Sequence, residues 1–374
     1  MTSIIRNNNN NNNNNDDNKI PIIDIEPLIN NNNNNNNNKN YVIKQIRNAC
    51  LQNGFFYVSN HGVDLNLIQQ LENLALTFFD QSVDIKSKIH MKQSGLHWKG
   101  FFALGEELTS GKPDNKEGIY FGEEYSLESE QVINKMAMHG PNQFPEPYNI
   151  WKTTVLKYME ELTTLGHIIM NAIALSLGLP SDFFEKQFCK PKPFTPFRIF
   201  RYPQGSNNFG VGRHTDYGVL TILKQDDVGG LQVEDPITKE WIDAPPVKDT
   251  FVVNIGDMLQ LWTNGLYKAT PHRVKASLNK DRISMPFFFD PAFETKILSD
   301  DITNAMMKGD GATNINTTKS TKVKLTNAKG DVEKELTTDK VEAIRYGDYI
   351  THKVAAVFPE LFEDSSGVDM LNNL

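Results

Sequence analysis

Cysteine is nearly missing from this chain of 374 residues. Only Cys50 and Cys189 occur, too few for a disulfide framework, which points to a reducing compartment. Long apolar runs are missing too. No stretch approaches the roughly 18 apolar residues of a membrane span, and no apolar signal segment follows Met1, so the expectation is a cytoplasmic protein with no membrane partner. Positive charge is also short. The chain has 38 Lys and Arg against 46 Asp and Glu, a net charge of −8, which leaves no electrostatic footprint for nucleic acid.

Asparagine is what the chain has in excess. Two runs, Asn7–Asn15 and Asn30–Asn38, lack the apolar surface that offsets ordering entropy, so residues 1–40 read as a disordered lead. Between the runs lies one apolar piece at 20–25. It reads as an edge strand, because Pro21 bars it from a central ladder.

Residues 41–195 read as a mainly helical part. Ile43, Ile46, Ala49 and Cys50 recur at helical spacing from Tyr41 and stop at Asn53-Gly54. A short buried strand at Phe55–Val58 follows, then a helix with Asp64 as its N-cap. Gly95 to Gly140 reads as a polar, glycine-rich loop region. A long helix from near Tyr148 to Leu177 ends at Gly178-Leu179-Pro180. After Pro196 short β-rich runs succeed one another: Phe197–Tyr202, Val219–Lys224, Leu231–Glu234, Phe251–Ile255, His272–Val274 and Arg282–Phe289. The fold class that follows is mainly β with flanking α-helices, with a double-sheet, jelly-roll-type core over 196–299. Residues 300–340 read as a low-complexity insertion, and 341–374 as a last helix, Tyr346–Phe358, with an acidic tail.

Chemistry concentrates in that core. In Gly212-Arg213-His214-Thr215-Asp216-Tyr217-Gly218, residues two apart on extended backbone share a face, so His214 and Asp216 converge on one ion. Pro271-His272-Arg273-Val274 offers His272 as a third ligand. Two histidines and one carboxylate form a facial triad suited to non-haem Fe(II) and oxygen, with a three-ligand catalytic zinc as the competitor. Ten positions on, Arg282-Ile283-Ser284 alternates in the same way, and a guanidinium beside a hydroxyl suits a carboxylate.

These motifs resemble the iron- and 2-oxoglutarate-dependent dioxygenases of the isopenicillin N synthase-like (iron/ascorbate oxidoreductase) family, from Ile20 to Phe358. The correspondence rests on Gly54-Phe55-Phe56-Tyr57-Val58 with Asn60-His61-Gly62-Val63, on Gly105-Glu106-Glu107-Leu108-Thr109-Ser110-Gly111, and on Arg201-Tyr202-Pro203. The two histidine motifs, Asn254-Ile255-Gly256-Asp257, Arg282-Ile283-Ser284 and Tyr346-Gly347-Asp348-Tyr349 complete it. The resemblance implies a double-stranded β-helix holding Fe(II) by His214, Asp216 and His272. It implies 2-oxoglutarate as cosubstrate, its distal carboxylate on Arg282 and Ser284 with Tyr202 nearby, and ascorbate as the reductant. The implied reaction consumes O2, releases succinate and carbon dioxide, and hydroxylates or desaturates a small organic substrate. Many plant members place Asn where this chain has Phe200. Isopenicillin N synthase resembles it more closely at Arg201-Tyr202-Pro203 and uses no 2-oxoglutarate, so an oxidase of that type is the alternative. From another class, a catalytically silent small-molecule-binding protein of the same fold is a further alternative.

Other candidates are set aside. His61, His139 and His352 read as structural, Cys189 as a bystander thiol, and Phe287, Phe288 and Phe289 largely as core. Lys116, Glu117 and Tyr120 fall in a loop region that approaches the substrate.

Overall fold

Two sheets of unequal size carry the polar residues picked out above. A computed structural model describes residues 20–30, 36–109, 111–205, 209–296 and 345–358 in full, and the backbone of 322–326 and 332–337. In chain order the strands are β1 (Ile22–Asp24), β2 (Phe55–Ser59), β3 (Gly100–Phe102), β4 (Leu108–Thr109), β5 (Lys112–Pro113), β6 (Glu117–Phe121) and β7 (Phe197–Tyr202). There follow β8 (Phe209–His214), β9 (Leu220–Gln225), β10 (Leu231–Glu234), β11 (Trp241–Asp243), β12 (Phe251–Ile255), β13 (His272–Lys275) and β14 (Arg282–Phe289).

The major sheet runs β1-β2-β12-β9-β14-β7-β6-β3 and the minor sheet β11-β10-β13-β8. Pairing is antiparallel except for β1 on β2. The strand expected between the asparagine runs is the edge strand β1, and Pro21 contributes only its carbonyl, which accepts from the Tyr57 amide. The core is double-sheeted and mainly β, with helices packed outside it, as the β-rich half of the sequence implies.

The long helix spans Tyr148–Ser176 and lays Leu162, Leu165, Ile169 and Ile173 into the core. It closes in a Schellman motif: Gly178 adopts φ +76, its amide donates to Leu175 and the Leu179 amide donates to Ala174. Gly166 lets the helix ride on Phe289, since a Cβ there would collide with the ring. Asp64 caps the helix Leu65–Phe79 by accepting from the Asn66 amide at 2.8 Å.

Three elements depart from the expectations. The helix expected at Tyr41 begins at Asn36, inside the second asparagine run. Extending a nucleated helix fixes one residue per added bond, so even a poor helix former joins. The region from Gly95 to Gly140 supplies β3 and β6, the outer strands of the major sheet, rather than loop alone. Both strands are short and buried on both faces, so no period-2 alternation announces them. Within 300–340, Lys322–Thr326 and Val332–Thr337 pair as a hairpin. The first asparagine run, the rest of 300–340 and the acidic tail lie outside the described residues. Among those described, no helix is long and apolar enough to cross a membrane.

Candidate active site

The two histidines meet because β8 and β13 pair with His214 opposite His272, just before an irregularity in the ladder, with ring centroids 4.2 Å apart. Each ring is fixed in the same way. His214 Nδ1 lies 2.8 Å from the Gly212 carbonyl and His272 Nδ1 3.2 Å from that of Thr270. A carbonyl only accepts, so Nδ1 carries the proton and Nε2 faces the cavity with its lone pair. Burial, then the nearby His272, push His214 down to about 4, so its imidazole is neutral at pH 7.

Asp216 arrives differently from the expectation. His214 ends β8, and Asp216 lies beyond the strand, in the turn towards β9. The turn is held where the Asp257 amide donates to the Asp216 carbonyl at 2.8 Å. Asp216 Oδ2 accepts from Thr221 Oγ1 at 2.5 Å and Asn254 Nδ2 at 2.7 Å. That leaves Oδ1 facing the imidazoles, 3.9 Å from His214 Nε2 and 3.6 Å from His272 Nε2. Burial works against the Asp216 charge, but His272, His214 and the two side-chain hydrogen bonds outweigh it and hold its pKa below the usual range. Three donor atoms therefore lie within 4.8 Å of one another, two imidazole nitrogens and one carboxylate oxygen on one side of a prospective ion. The open side suits a catalytic metal that keeps exchangeable positions.

The triad lines a cavity of about 120 Å³ between the sheets. On its major-sheet wall, Arg282, Ser284, Pro286 and Phe288 alternate along β14, and Arg198, Phe200 and Tyr202 along β7. Arg282 is 1% exposed. Its Nη2 donates to Gln225 Oε1 at 3.0 Å, its guanidinium lies 5.1 Å from the Tyr202 ring centre, and its Nε and Nη1 have no hydrogen-bond partner among the described residues.

Known proteins carry the same pattern. Residues 194–291 match the 2OG-Fe(II) oxygenase superfamily, and residues 20–147 match the non-haem dioxygenase N-terminal family named for morphine synthesis. A Dictyostelium discoideum protein named as a probable iron/ascorbate oxidoreductase is 40% identical over 92% of this chain and 96% of its own length. The chain belongs to the 2OG-Fe(II) oxygenase superfamily. A 1-aminocyclopropane-1-carboxylate oxidase of Dictyostelium discoideum is 40% identical over 74% of the oxygenase and 83% of its own length. A full-length Neurospora crassa protein, solved with α-ketoglutarate and thymine, overlays with a TM-score of 0.69 at 24% identity, covering 90% of the oxygenase and 96% of that chain. Its fold, a jelly roll with flanking helices, is the fold described above. Fe(II) is accordingly the metal of the oxygenase and 2-oxoglutarate its cosubstrate, and it oxidises a small organic substrate.

All six expected site residues line the one cavity: His214, Asp216, His272, Arg282, Ser284 and Tyr202. Of the loop residues flagged beside them, Lys116 lines it as well, whereas Glu117 is buried against Lys86 and Arg201. His61 is structural, its Nδ1 accepting from the Val63 amide. The Cys189 thiol is pushed up to about 12 by burial and then by Glu185 and Asp290, so it is inert. Sequence reasoning missed Thr221 and Asn254, the donors behind Asp216, although Asn254 stood in a recognised motif. It also missed Glu107 and Arg198, which line the cavity. The alternation Arg198-x-Phe200-x-Tyr202 along β7 was the available signal for Arg198.

Proposed function

We propose that His214, Asp216 and His272 hold Fe(II), and that Arg282, with Ser284 and Tyr202 beside it, receives the distal carboxylate of 2-oxoglutarate. The observation that carries this reading is the pair of unmet nitrogens on a buried arginine. Each buried donor left unpaired costs on the order of 1–3 kcal/mol, and a carboxylate answers two of them with parallel charge-assisted bonds. Bound at the triad, the iron supplies the oxygen chemistry that couples loss of carbon dioxide from 2-oxoglutarate to oxidation of the substrate by O2.

The protein's part is placement and shielding. The Gly212 and Thr270 carbonyls hold the imidazoles to one tautomer, and Thr221 with Asn254 keeps Asp216 aimed by one oxygen. Val211, Leu223, Leu231 and Val274 give the cavity an apolar wall that limits water. Ascorbate serves as reductant, in keeping with the relative named for it. The substrate is a small amino acid, as the name of the 1-aminocyclopropane-1-carboxylate oxidase relative supports. We place the reaction in the cytoplasm, with no nucleic-acid or membrane partner. The unpaired, buried Cys50 and Cys189 support that setting.

The test is metal stoichiometry combined with product release. The purified protein is expected to bind one equivalent of Fe(II) under anaerobic conditions and to release succinate from 2-oxoglutarate when air is admitted. His272→Ala is expected to lose both. Wild-type iron affinity in His272→Ala would overturn the ligand assignment.

A further inference from the structure

Arg282 is not the only arginine in the cavity with unanswered donors. Arg198 lies on the same face of β7 as Tyr202, which pairs across the sheet with Arg282. Arg198 stands four positions before Tyr202, roughly 13 Å along the strand, so the two arginines are rooted well apart on the β7–β14 wall. The Arg198 guanidinium lies 4.1 Å from the ring centre of Tyr120 and 4.8 Å from that of Phe288. Rings on both contacts restrain its plane and leave its edge to make hydrogen bonds. Its Nε is buried without a hydrogen-bond partner among the described residues. The carboxylate that approaches it, Glu107 Oε1, stands 3.9 Å away, beyond hydrogen-bond reach.

Glu107 beside it is only partly answered. Its Oε1 accepts from the Tyr120 hydroxyl at 2.7 Å. Its Oε2 lies 3.1 Å from Lys116 Nζ, yet is buried without a well-directed hydrogen bond. Burial works against its charge, but Lys116, Arg198 and the Tyr120 bond outweigh it and hold its pKa below the usual carboxylate range. The cavity thus presents a fixed cation with a buried, unanswered Nε next to a fixed anion whose Oε2 faces one ammonium, Lys116, and keeps a further lone pair.

Resting on the iron and 2-oxoglutarate reading and deepening it, we propose that Arg198 and Glu107 form the substrate-specificity site. Arg198 takes the carboxylate of an α-amino acid, and Glu107 Oε2 takes its ammonium group. A zwitterion adds no net charge to the buried pair, gives Arg198 Nε the acceptor it lacks and gives Glu107 Oε2 a second cation beside Lys116, whereas a simple acid or a simple amine makes only one of these contacts.

The test uses the full chain loaded with Fe(II) and 2-oxoglutarate under anaerobic conditions. A set of L-α-amino acids covering small, branched, acidic, basic and aromatic side chains is titrated in, each beside its decarboxylated amine and its 2-hydroxy acid. Binding is read as the shift of the visible iron–2-oxoglutarate charge-transfer band. At least one amino acid is expected to shift the band, with its amine and its hydroxy acid binding at least tenfold more weakly. Arg198→Met is expected to cost the amino acid tenfold or more and to erase its advantage over the amine, while the affinity for 2-oxoglutarate is kept. Glu107→Gln is expected to narrow the preference for amino acid over hydroxy acid. An amine that binds as well as its amino acid would overturn the proposal. So would a normal 2-oxoglutarate band that no amino acid shifts, and both results are independent of any folding defect in a variant. Failure of the band to form at all would instead sink the iron and 2-oxoglutarate reading, and this proposal with it.

Discussion

The two ends of the cavity are built on opposite principles. At the metal end every polar atom not aimed at the ion already has its partner: both Nδ1 atoms meet carbonyls, and Asp216 Oδ2 meets two donors. At the far end, Arg282 and Arg198 keep buried nitrogens without one, and Glu107 Oε2 meets only the Lys116 ammonium. A metal tolerates little misplacement of its ligands, so those side chains are locked from behind. A ligand that comes and goes must displace little to bind, so its anchors are held by stacking and by single hydrogen bonds and left open at the front.

Removing a ligand at the locked end should have the largest effect. Asp216→Ala leaves two imidazoles and no anionic ligand, and is expected to abolish both Fe(II) retention, measured by metal analysis, and succinate formation. Next comes the open end. Arg282→Ala is expected to weaken 2-oxoglutarate binding on the order of a hundredfold, as loss of a bidentate charge-assisted pair implies, with iron affinity unchanged. An iron affinity that fell equally would erase the distinction between the two ends. Smaller again is loss of the support behind the carboxylate. Asn254→Ala or Thr221→Val is expected to weaken Fe(II) binding about 10- to 100-fold without changing the dissociation constant for 2-oxoglutarate.

The smallest effect lies outside the cavity and concerns stability. Burial, opposed by Asp249 and aided by Lys224, pushes His61 down to about 4. Above pH 6.5 the imidazole is neutral both folded and unfolded, and the fold keeps its full stability. As pH falls from 6.5 towards 4 the unfolded chain takes up a proton that the folded one refuses, so stability drops. Tm is therefore expected to fall over that window, and His61→Gln to make the fall shallower. An unchanged slope would contradict the assignment.

The His214–Asp216–His272 cluster and the Arg282–Ser284 pair were legible in the sequence, and the residues that surround them mostly were not, for a physical reason. His214 with Asp216, and Arg282 with Ser284, fall in two short stretches with His-x-Asp and Arg-x-Ser spacing, and His272 stands alone ten positions before the second, all beside recognisable strands. The turn, however, and not strand alternation, brings Asp216 to the two imidazoles. Glu107 and Lys116 reach the cavity from either side of the short hairpin β4–β5, in a stretch whose buried strands lack alternation and resemble loop. Thr221 and Asn254 act across strand pairs β9–β12, and no local spacing encodes a contact made through sheet register. The helix start at Asn36 was missed because composition argued against it and cooperativity decided it.

The central claim is that one cavity joins an iron triad to a carboxylate anchor on Arg282. Anaerobic titration of 2-oxoglutarate into the Fe(II)-loaded protein, followed by its visible charge-transfer band, tests it most directly. A saturable band is expected in the wild type, at far higher 2-oxoglutarate concentrations in Arg282→Ala, and not at all in Asp216→Ala. A protein that binds iron yet shows no band, or an Asp216→Ala protein that keeps it, would contradict the account.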